Sequence, residues 1–306
     1  MTGFRVAGIG GALPSGVLSN ADLEARLDTS DNWIRERTGI LERRVGGTTS
    51  GLGAEAARAA LAQAPADTAA VGMLIVATST PARLLPGAAT GVARELGLTC
   101  GAIDVNGACA GFVYALQAAT GFLDASLGSV LVIGADILSQ VTDPDDRGTA
   151  ILFGDGAGAL LLAPGGEGGV LGFHAGTDPG AEEILYCDHG GVMKMEGRAV
   201  FRLAVRAASD SVRRALESAD LAPGDVDLFV PHQANQRITD AIASRLGLEP
   251  ERVVSTIART GNSSAASIPY ALAVAAADGR LHAGDIVLLS GFGAGMTWAS
   301  SVIRWA

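Results

Sequence analysis

One order of apolar, strand-length runs and alanine-rich helical stretches occurs twice along this chain, and that repetition limits the folds open to it. Leu228-Phe229-Val230-Pro231-His232 stands 154 residues after Leu74-Ile75-Val76-Ala77-Thr78. The stretch ARELGL ending at Leu98 returns as ASRLGL ending at Leu248, 150 residues on. Tyr114-Ala115-Leu116 and Gly128-Ser129-Val130-Leu131 return as Tyr270-Ala271-Leu272 and Gly284-Asp285-Ile286-Val287, each 156 residues on. Four matches in one order at nearly one offset indicate a duplicated half of about 150 residues. The turn-rich segment Pro164-Gly165-Gly166-Glu167-Gly168-Gly169 marks the boundary and predicts halves 1–165 and 166–306.

Within the first repeat, Val71–Thr78, Gly101–Asn106 and Ser129–Gly134 have the length and apolarity of strands. Gly87–Leu96 and Ala110–Ser126 have the pattern of helices. Near-continuous apolar strands separated by helices predict an α/β sheet covered on both faces. Pockets in such folds favour the carboxyl ends of strands and the interface between halves. Composition agrees with a large packed core: 48% of residues are hydrophobic and 18% charged, which excludes a disordered chain and hints at a buried subunit interface. A net charge of −10 argues against nucleic acid as a partner, because phosphate binding needs a basic face. The 22 basic residues include a single lysine, Lys194, so any anion site is built from arginine. Three cysteines, Cys100, Cys109 and Cys187, fit neither a disulfide framework nor a paired metal motif. The glycine-broken start, Met1–Leu13, does not read as a signal peptide, and no run approaches the roughly 18 apolar residues of a membrane span. The expectation is a soluble, reduced, cytoplasmic protein.

The strongest chemical signal is Asp104-Val105-Asn106-Gly107-Ala108-Cys109-Ala110-Gly111-Phe112. A strand ends, a tight turn follows, and a helix begins just after Cys109. Small neighbours leave room for a substrate, and the helix N-terminus favours a thiolate. The spacing Gly107-x-Cys109-x-Gly111 is a cysteine version of the nucleophile elbow. The alternative is a buried cysteine packing at a strand–helix corner. His232, in Val230-Pro231-His232-Gln233-Ala234-Asn235, ends the matching strand of the second repeat, unlike His174, His189 and His282. Its alternative is a satisfied core histidine; the repeat points it and Cys109 at one interface. Asn262, in Thr260-Gly261-Asn262-Ser263-Ser264, precedes the helix that echoes the Cys109 helix. It is a helix cap or a neutral donor into a site. Ser290-Gly291-Phe292-Gly293-Ala294-Gly295-Met296 is a turn, or a loop that brings backbone N–H groups close to a ligand. Gly154-Asp155-Gly156-Ala157-Gly158-Ala159 matches a dinucleotide pattern but runs into a strand-like Leu160-Leu161-Leu162, so its required helix is missing. Cys187-Asp188-His189 lacks the second cluster that a closed metal site needs.

These segments, with Asp31-Asn32-Trp33-Ile34-Arg35-Glu36-Arg37-Thr38-Gly39-Ile40 and Asp146-Arg147-Gly148-Thr149, resemble β-ketoacyl-acyl carrier protein synthase III over nearly the whole chain. The resemblance implies a thiolase-like fold, with duplicated α/β halves in α-β-α-β-α layers. It implies a condensing acyltransferase of fatty acid biosynthesis that joins an acyl-CoA primer to malonyl-acyl carrier protein. On it the catalytic residues are Cys109, His232 and Asn262, and the oxyanion hole is formed by the N–H groups of Cys109 and Ala294. Substrate or coenzyme A contacts fall on Trp33, Arg37, Arg147 and Phe292, and carrier-protein docking falls on Arg237. It implies a homodimer, no metal, and coenzyme A as substrate, not cofactor. The residue types agree: an asparagine cannot act as a base, so a His-Asn pair suits stabilising an enolate after decarboxylation better than abstracting a proton.

A thiolase would need a second cysteine in Phe292–Thr297, and none is there. A cysteine hydrolase would orient its histidine with a carboxylate, and none is evident. Chalcone-synthase-like enzymes share the Cys-His-Asn set but usually have longer chains. The nearest alternative keeps the fold and primes a polyketide pathway, or passes its acyl group to a hydroxyl or amine. The chain departs from the family in a short Asp178–Met193 stretch, in Leu85 where some relatives carry an aromatic reaching the partner's pocket, and in the lead-in Asn106-Gly107-Ala108. Leucine leaves more room than an aromatic ring, so primers longer than acetyl are expected to be accepted. In competition, four- to eight-carbon acyl-CoAs should be used at least as fast as acetyl-CoA; a clear preference for acetyl-CoA would refute this.

Overall fold

The computed structural model describes residues 3–65 and 70–306. The chain opens with β1 (Phe4–Ala12), β2 (Gly16–Ser19), α1 (Asn20–Glu24), α2 (Asp31–Thr38), β3 (Glu42–Val45) and α3 (Thr49–Leu61). Then come β4 (Val71–Ala77), α4 (Ala88–Leu96), β5 (Gly101–Val105), α5 (Gly111–Asp124), β6 (Ser129–Ile137), α6 (Arg147–Ala150) and β7 (Asp155–Pro164). They are followed by β8 (Gly169–Thr177), β9 (Leu185–Tyr186), β10 (Lys194–Met195) and α7 (Gly197–Ser218). The chain closes with β11 (Leu228–Pro231), α8 (Gln236–Leu246), α9 (Ile257–Thr260), α10 (Ser267–Ala277), β12 (Ile286–Gly293) and β13 (Thr297–Arg304).

Two large sheets form, in the orders β1-β7-β6-β4-β5 and β8-β13-β12-β11. In the first, β4 runs parallel to β6 and β5, while β7 runs antiparallel to β6 and β1. In the second, β11 runs parallel to β12, while β13 runs antiparallel to β12 and β8. The series β1-β7-β6-β4 and β8-β13-β12-β11 therefore repeat one topology. The sequence echo ending at Leu98 and Leu248 has a concrete cause. Gly97 and Gly247 end α4 and α8 in the left-handed conformation, with φ of 69° and 66°. The next residues, Leu98 and Leu248, donate back to Ala93 and Ala243 at 2.9 and 3.0 Å, one C-cap built twice.

Helices fill both outer faces and the space between the sheets. α3 and α4 cover the outside of the first sheet, and α7, with α8 against it, covers the outside of the second. α5 and α10 lie between: α5 touches β4 and β6 on one side and β12 and β13 on the other, and α10 touches β1, β7 and β11. The layers thus run α-β-α-β-α. β6 is buried at every position, which is what a strand covered on both faces requires. The largest cluster of buried apolar side chains, including Ile75, Phe112, Leu116, Val132, Ile268 and Leu289, fills this middle layer.

The second chain segment reaches the first sheet through its backbone. At Gly134 on β6 an added Cβ would lie 2.2 Å from the Ala265 carbonyl oxygen, so only glycine admits this contact. Gly134→Ala should therefore lower unfolding free energy by about 1–3 kcal/mol through overpacking. Gly121→Ala, on an α5 position with no atom within 4 Å of the new Cβ, should instead stabilise by up to about 1 kcal/mol through helix propensity. Urea unfolding of the two variants against wild type checks both signs.

Candidate active site

β5 ends at Val105, and a turn over Asn106–Ala110 carries the chain into α5. The Asn106 side chain accepts from the Ala108 N–H at 3.2 Å. Ala108 takes φ +47°, the left-handed region, and the N–H groups of Ala110 and Gly111 donate back to Gly107 and Ala108. This turn presents Cys109 two residues ahead of the helix. Gly293 at the end of β12 allows the second sheet to reach it, since a Cβ there would lie 2.6 Å from the Cys109 nitrogen. Burial pushes the thiol up to about 12; the Ser264 hydroxyl works against this, and the nearby Asp136 charge adds to it. The thiolate expected from the helix N-terminus is thus not the resting form. Desolvation of a small charged sulfur outweighs the helix-end partial charge.

His232 follows β11 and is 2% exposed. Its Nδ1 lies 2.7 Å from Ser267 Oγ, and the Gln233 N–H also donates to that oxygen. With the Ser267 hydroxyl donating to Nδ1, the imidazole proton sits on Nε2, the tautomer that leaves an N–H donor for the cavity. The Phe292 ring packs edge-on against the imidazole, centroids 5.3 Å apart. Burial holds the imidazole well below its ordinary value, at about 3, so it is neutral. Asn262 is held through its backbone by the first sheet's chain: it donates to Leu152 O at 2.8 Å and accepts from Gly154 N at 2.9 Å. Its side-chain oxygen accepts from Ser264 N–H at 3.0 Å. The cap of α10 itself is Ala266, so Asn262 does not cap that helix.

Cys109, His232, Asn262, Phe292 and Ala294 line one cavity of about 320 Å³. Ser264, two residues past Asn262 in the Thr260–Ser264 segment, lines it too, and no residue pattern in the sequence sets it apart. The short Asp178–Met193 stretch supplies Leu185, Tyr186, Cys187 and Met193 to its wall. No aspartate, glutamate, arginine or lysine lines it among the described residues. No group of three or more His, Cys, Asp or Glu side chains is placed to hold a metal among the described residues. No described helix is long and apolar enough to cross a membrane.

Trp33, Arg37, Arg147 and Arg237 do not line this cavity. The guanidinium carbons of Arg147 and Arg37 lie 5.1 and 5.9 Å from the Trp33 ring centroid, so the indole carries two cations at cation–π range. Asn235, on the cavity wall, donates from its side chain to the Arg37 carbonyl at 3.0 Å, which ties this cluster to the cavity. Arg237 stands over Phe201, another wall residue, at 5.4 Å. The fully buried Arg43 braces the region from below, donating to the Ile151 carbonyl and to Asn20, whose amide donates to Asp31 at the start of α2.

A profile of 3-oxoacyl-[acyl-carrier-protein] synthase III matches residues 103–179, and that of its C-terminal region matches residues 216–305. A Brucella melitensis protein named beta-ketoacyl-[acyl-carrier-protein] synthase III is 45% identical over 318 aligned residues, covering 98% of each chain. The crystal structure of 3-oxoacyl-[acyl-carrier-protein] synthase III from Aquifex aeolicus matches with a TM-score of 0.96 at 40% identity, over 99% of this chain and 100% of that one. A priming β-ketosynthase from the R1128 polyketide pathway matches with a TM-score of 0.94 at 35% identity, over 99% and 96%. The molecule is a condensing enzyme of acyltransferase type with the thiolase-like fold. Within that class the chain belongs to the β-ketoacyl-[acyl-carrier-protein] synthase III family.

The neutral His232 has a measurable signature. Below its ordinary 6.5, an unfolded chain binds a proton that the folded one refuses until about 3. Its contribution therefore makes stability fall as pH drops through that window, by up to about 1.4 kcal/mol per pH unit. Wild type should lose more stability than His232→Gln between about pH 7 and pH 4.5 in urea unfolding.

Proposed function

We propose that this chain primes fatty acid synthesis by joining an acyl-CoA to malonyl-acyl carrier protein through an acyl-Cys109 intermediate. Cys109 attacks the acyl-CoA thioester carbon, and the N–H groups of Cys109 and Ala294 hold the oxyanion. The C–S bond to coenzyme A breaks, and coenzyme A leaves with the thiol proton. Malonyl thioester then loses carbon dioxide; the electron pair of the broken C–C bond becomes an enolate. Nε2–H of His232 and the Asn262 amide donate to its oxygen. The enolate carbon attacks the acyl carbon and expels Cys109 as a thiolate, which takes a proton from solvent. A 3-ketoacyl thioester remains.

The observation that carries this reading is that a thiol, a neutral imidazole and an amide share a cavity whose wall, among the described residues, holds no carboxylate and no cation. A neutral imidazole and an amide can donate to an enolate oxygen without a charged base beside them. In the same reading Trp33 stacks on the coenzyme A adenine, Arg37 and Arg147 meet its phosphates, and Phe292 supports the imidazole. Carrier protein, which is acidic, docks near Arg237 through a local patch, since this chain is itself at −10. The halves 1–165 and 166–306 act as two thiolase-like domains, and the enzyme works in the cytoplasm with no resident cofactor or metal. A second copy pairs along β5, an edge strand with Ile103 39% exposed, beside a loop whose Leu84 and Leu85 are 79% and 83% exposed. The 35% identity to the polyketide priming ketosynthase supports a second reading, in which the same chemistry starts a secondary-metabolite chain.

The test is intact-protein mass after incubation with single acyl-CoAs and no malonyl donor. A gain of one acyl group in wild type, absent in Cys109→Ala, is expected. No adduct with any acyl-CoA would overturn the priming reading.

A further inference from the structure

Asp136 is the one carboxylate of β6 and has no exposed surface. A buried carboxylate is costly unless donors satisfy it. Its two oxygens serve different parts of the chain. Oδ1 accepts from Thr78 Oγ1 at 3.0 Å, Ser79 N at 2.7 Å, Thr80 N at 3.2 Å and Thr80 Oγ1 at 3.0 Å. Oδ2 accepts from Ala265 N at 3.0 Å. The first group is the turn after β4, where Ser79 lines the cavity and its hydroxyl stands 3.5 Å from the Asn106 oxygen that shapes the Cys109 turn. The second lies in the turn that holds Asn262, whose side-chain oxygen accepts from Ser264, next to Ala265.

We propose that Asp136 is a positioning residue for the condensation, one carboxylate that sets the Asn262–Ala265 turn against the Ser79–Asn106–Cys109 side of the cavity. This rests on the reading of Cys109 and Asn262 as reaction partners. Burial pushes the Asp136 carboxyl up and its hydrogen-bond donors pull it back down; in its ionised form it disfavours a thiolate at Cys109. Among the described residues, the other titratable side chains on the cavity wall are His232, Tyr186 and Cys187, and burial keeps His232 neutral.

Asp136→Asn separates these roles from simple packing. An amide has one oxygen and one NH2. The oxygen belongs on the side with four donors, which leaves the NH2 facing the Ala265 N–H, donor against donor. The turn after β4 stays clamped, the Ala265 link to the Asn262 turn is lost and only the Ser264 hydroxyl still bridges it, and no carboxylate remains. The experiment follows Cys109 alkylation by iodoacetamide against pH, resolved from Cys100 and Cys187 by peptide mass, alongside turnover with malonyl-acyl carrier protein. Expected for D136N are an alkylation midpoint lower by about one pH unit and condensation slowed at least tenfold. Asp155→Asn is the control. Asp155 is a second buried carboxylate, bonded to Gly46 and Ser139, and its loss should lower stability while leaving the Cys109 profile in place. A D136N profile that superimposes on wild type, or condensation within twofold of it, overturns the proposal. Should D136N not fold, wild type alone decides: a Cys109 midpoint below the ordinary value of about 8.5 also overturns it. Acylation of wild-type Cys109 by acyl-CoA is scored separately; its absence would sink the priming reading and not the placement of Asp136.

Discussion

Asn262 is held in the cavity by backbone from the other side of the molecule, and the arrangement of the site depends on that pairing. Its N–H and C=O bond to Leu152 and Gly154, residues that lead into β7 of the first sheet, while Asn262 itself precedes α10. The seam is tight enough that a side chain on Gly134 would strike the Ala265 carbonyl. Buried backbone groups must be paired, and here they are paired between segments about 110 residues apart in sequence. The distance between Cys109 and the Asn262 amide is thereby set by how two sheets stack, a stiff quantity, and not by the shape of a surface loop.

The cavity is neutral at rest. The thiol is protonated, the imidazole is neutral, the amide carries no charge, and the nearest named carboxylate, Asp136, stands behind the wall. Charge would exist there only while a reaction runs, on an oxyanion or an enolate. Donors fixed by the surrounding structure are worth more to such transient charges than freely rotating ones in water, because they need no reorganisation. Two cations, Arg37 and Arg147, stand outside the cavity wall on the face of Trp33.

Much of this was legible in residue pattern. The buried strands, the helix Gln236–Leu246 and the corner carrying Cys109 follow from apolar runs and small-residue turns, and the echo of ARELGL in ASRLGL is one helix cap used twice. Cys109, His232, Asn262, Phe292 and Ala294 do share a cavity. What was not legible depends on tertiary context. The apolar pattern of Ser129–Gly134 suggested a strand end two residues before Asp136, because a carboxylate breaks an apolar run; the donors that let β6 continue come from distant turns. The glycine-broken Phe4–Ala12 gives no strand pattern of its own and is a strand because β7 lies beside it. The resting thiol could not be read from a helix N-terminus, since desolvation is a property of the filled site.

The middle layer has a consequence for how the sequence can vary. An ordinary surface helix hides one stripe and leaves the rest of its circumference open to substitution. α5 and α10 are pressed from both sides, so two faces of each meet a core, while positions such as Gly121 face open space. The result is visible in their composition. α5 carries Gly111, Ala115 and Ala119 beside Phe112, Leu116 and Leu123, and α10 is built from Ile268, Ala271, Leu272 and Ala275. A larger residue at one of the small positions would push on one sheet, and a smaller one at a large position would leave a void against the other. These helices also begin beside Cys109 and Asn262, so drift in the packing layer would be felt at once as drift in the chemistry. Change in such a molecule is tolerated mainly on the outer helices, the rim of the cavity and the loops that shape its wall.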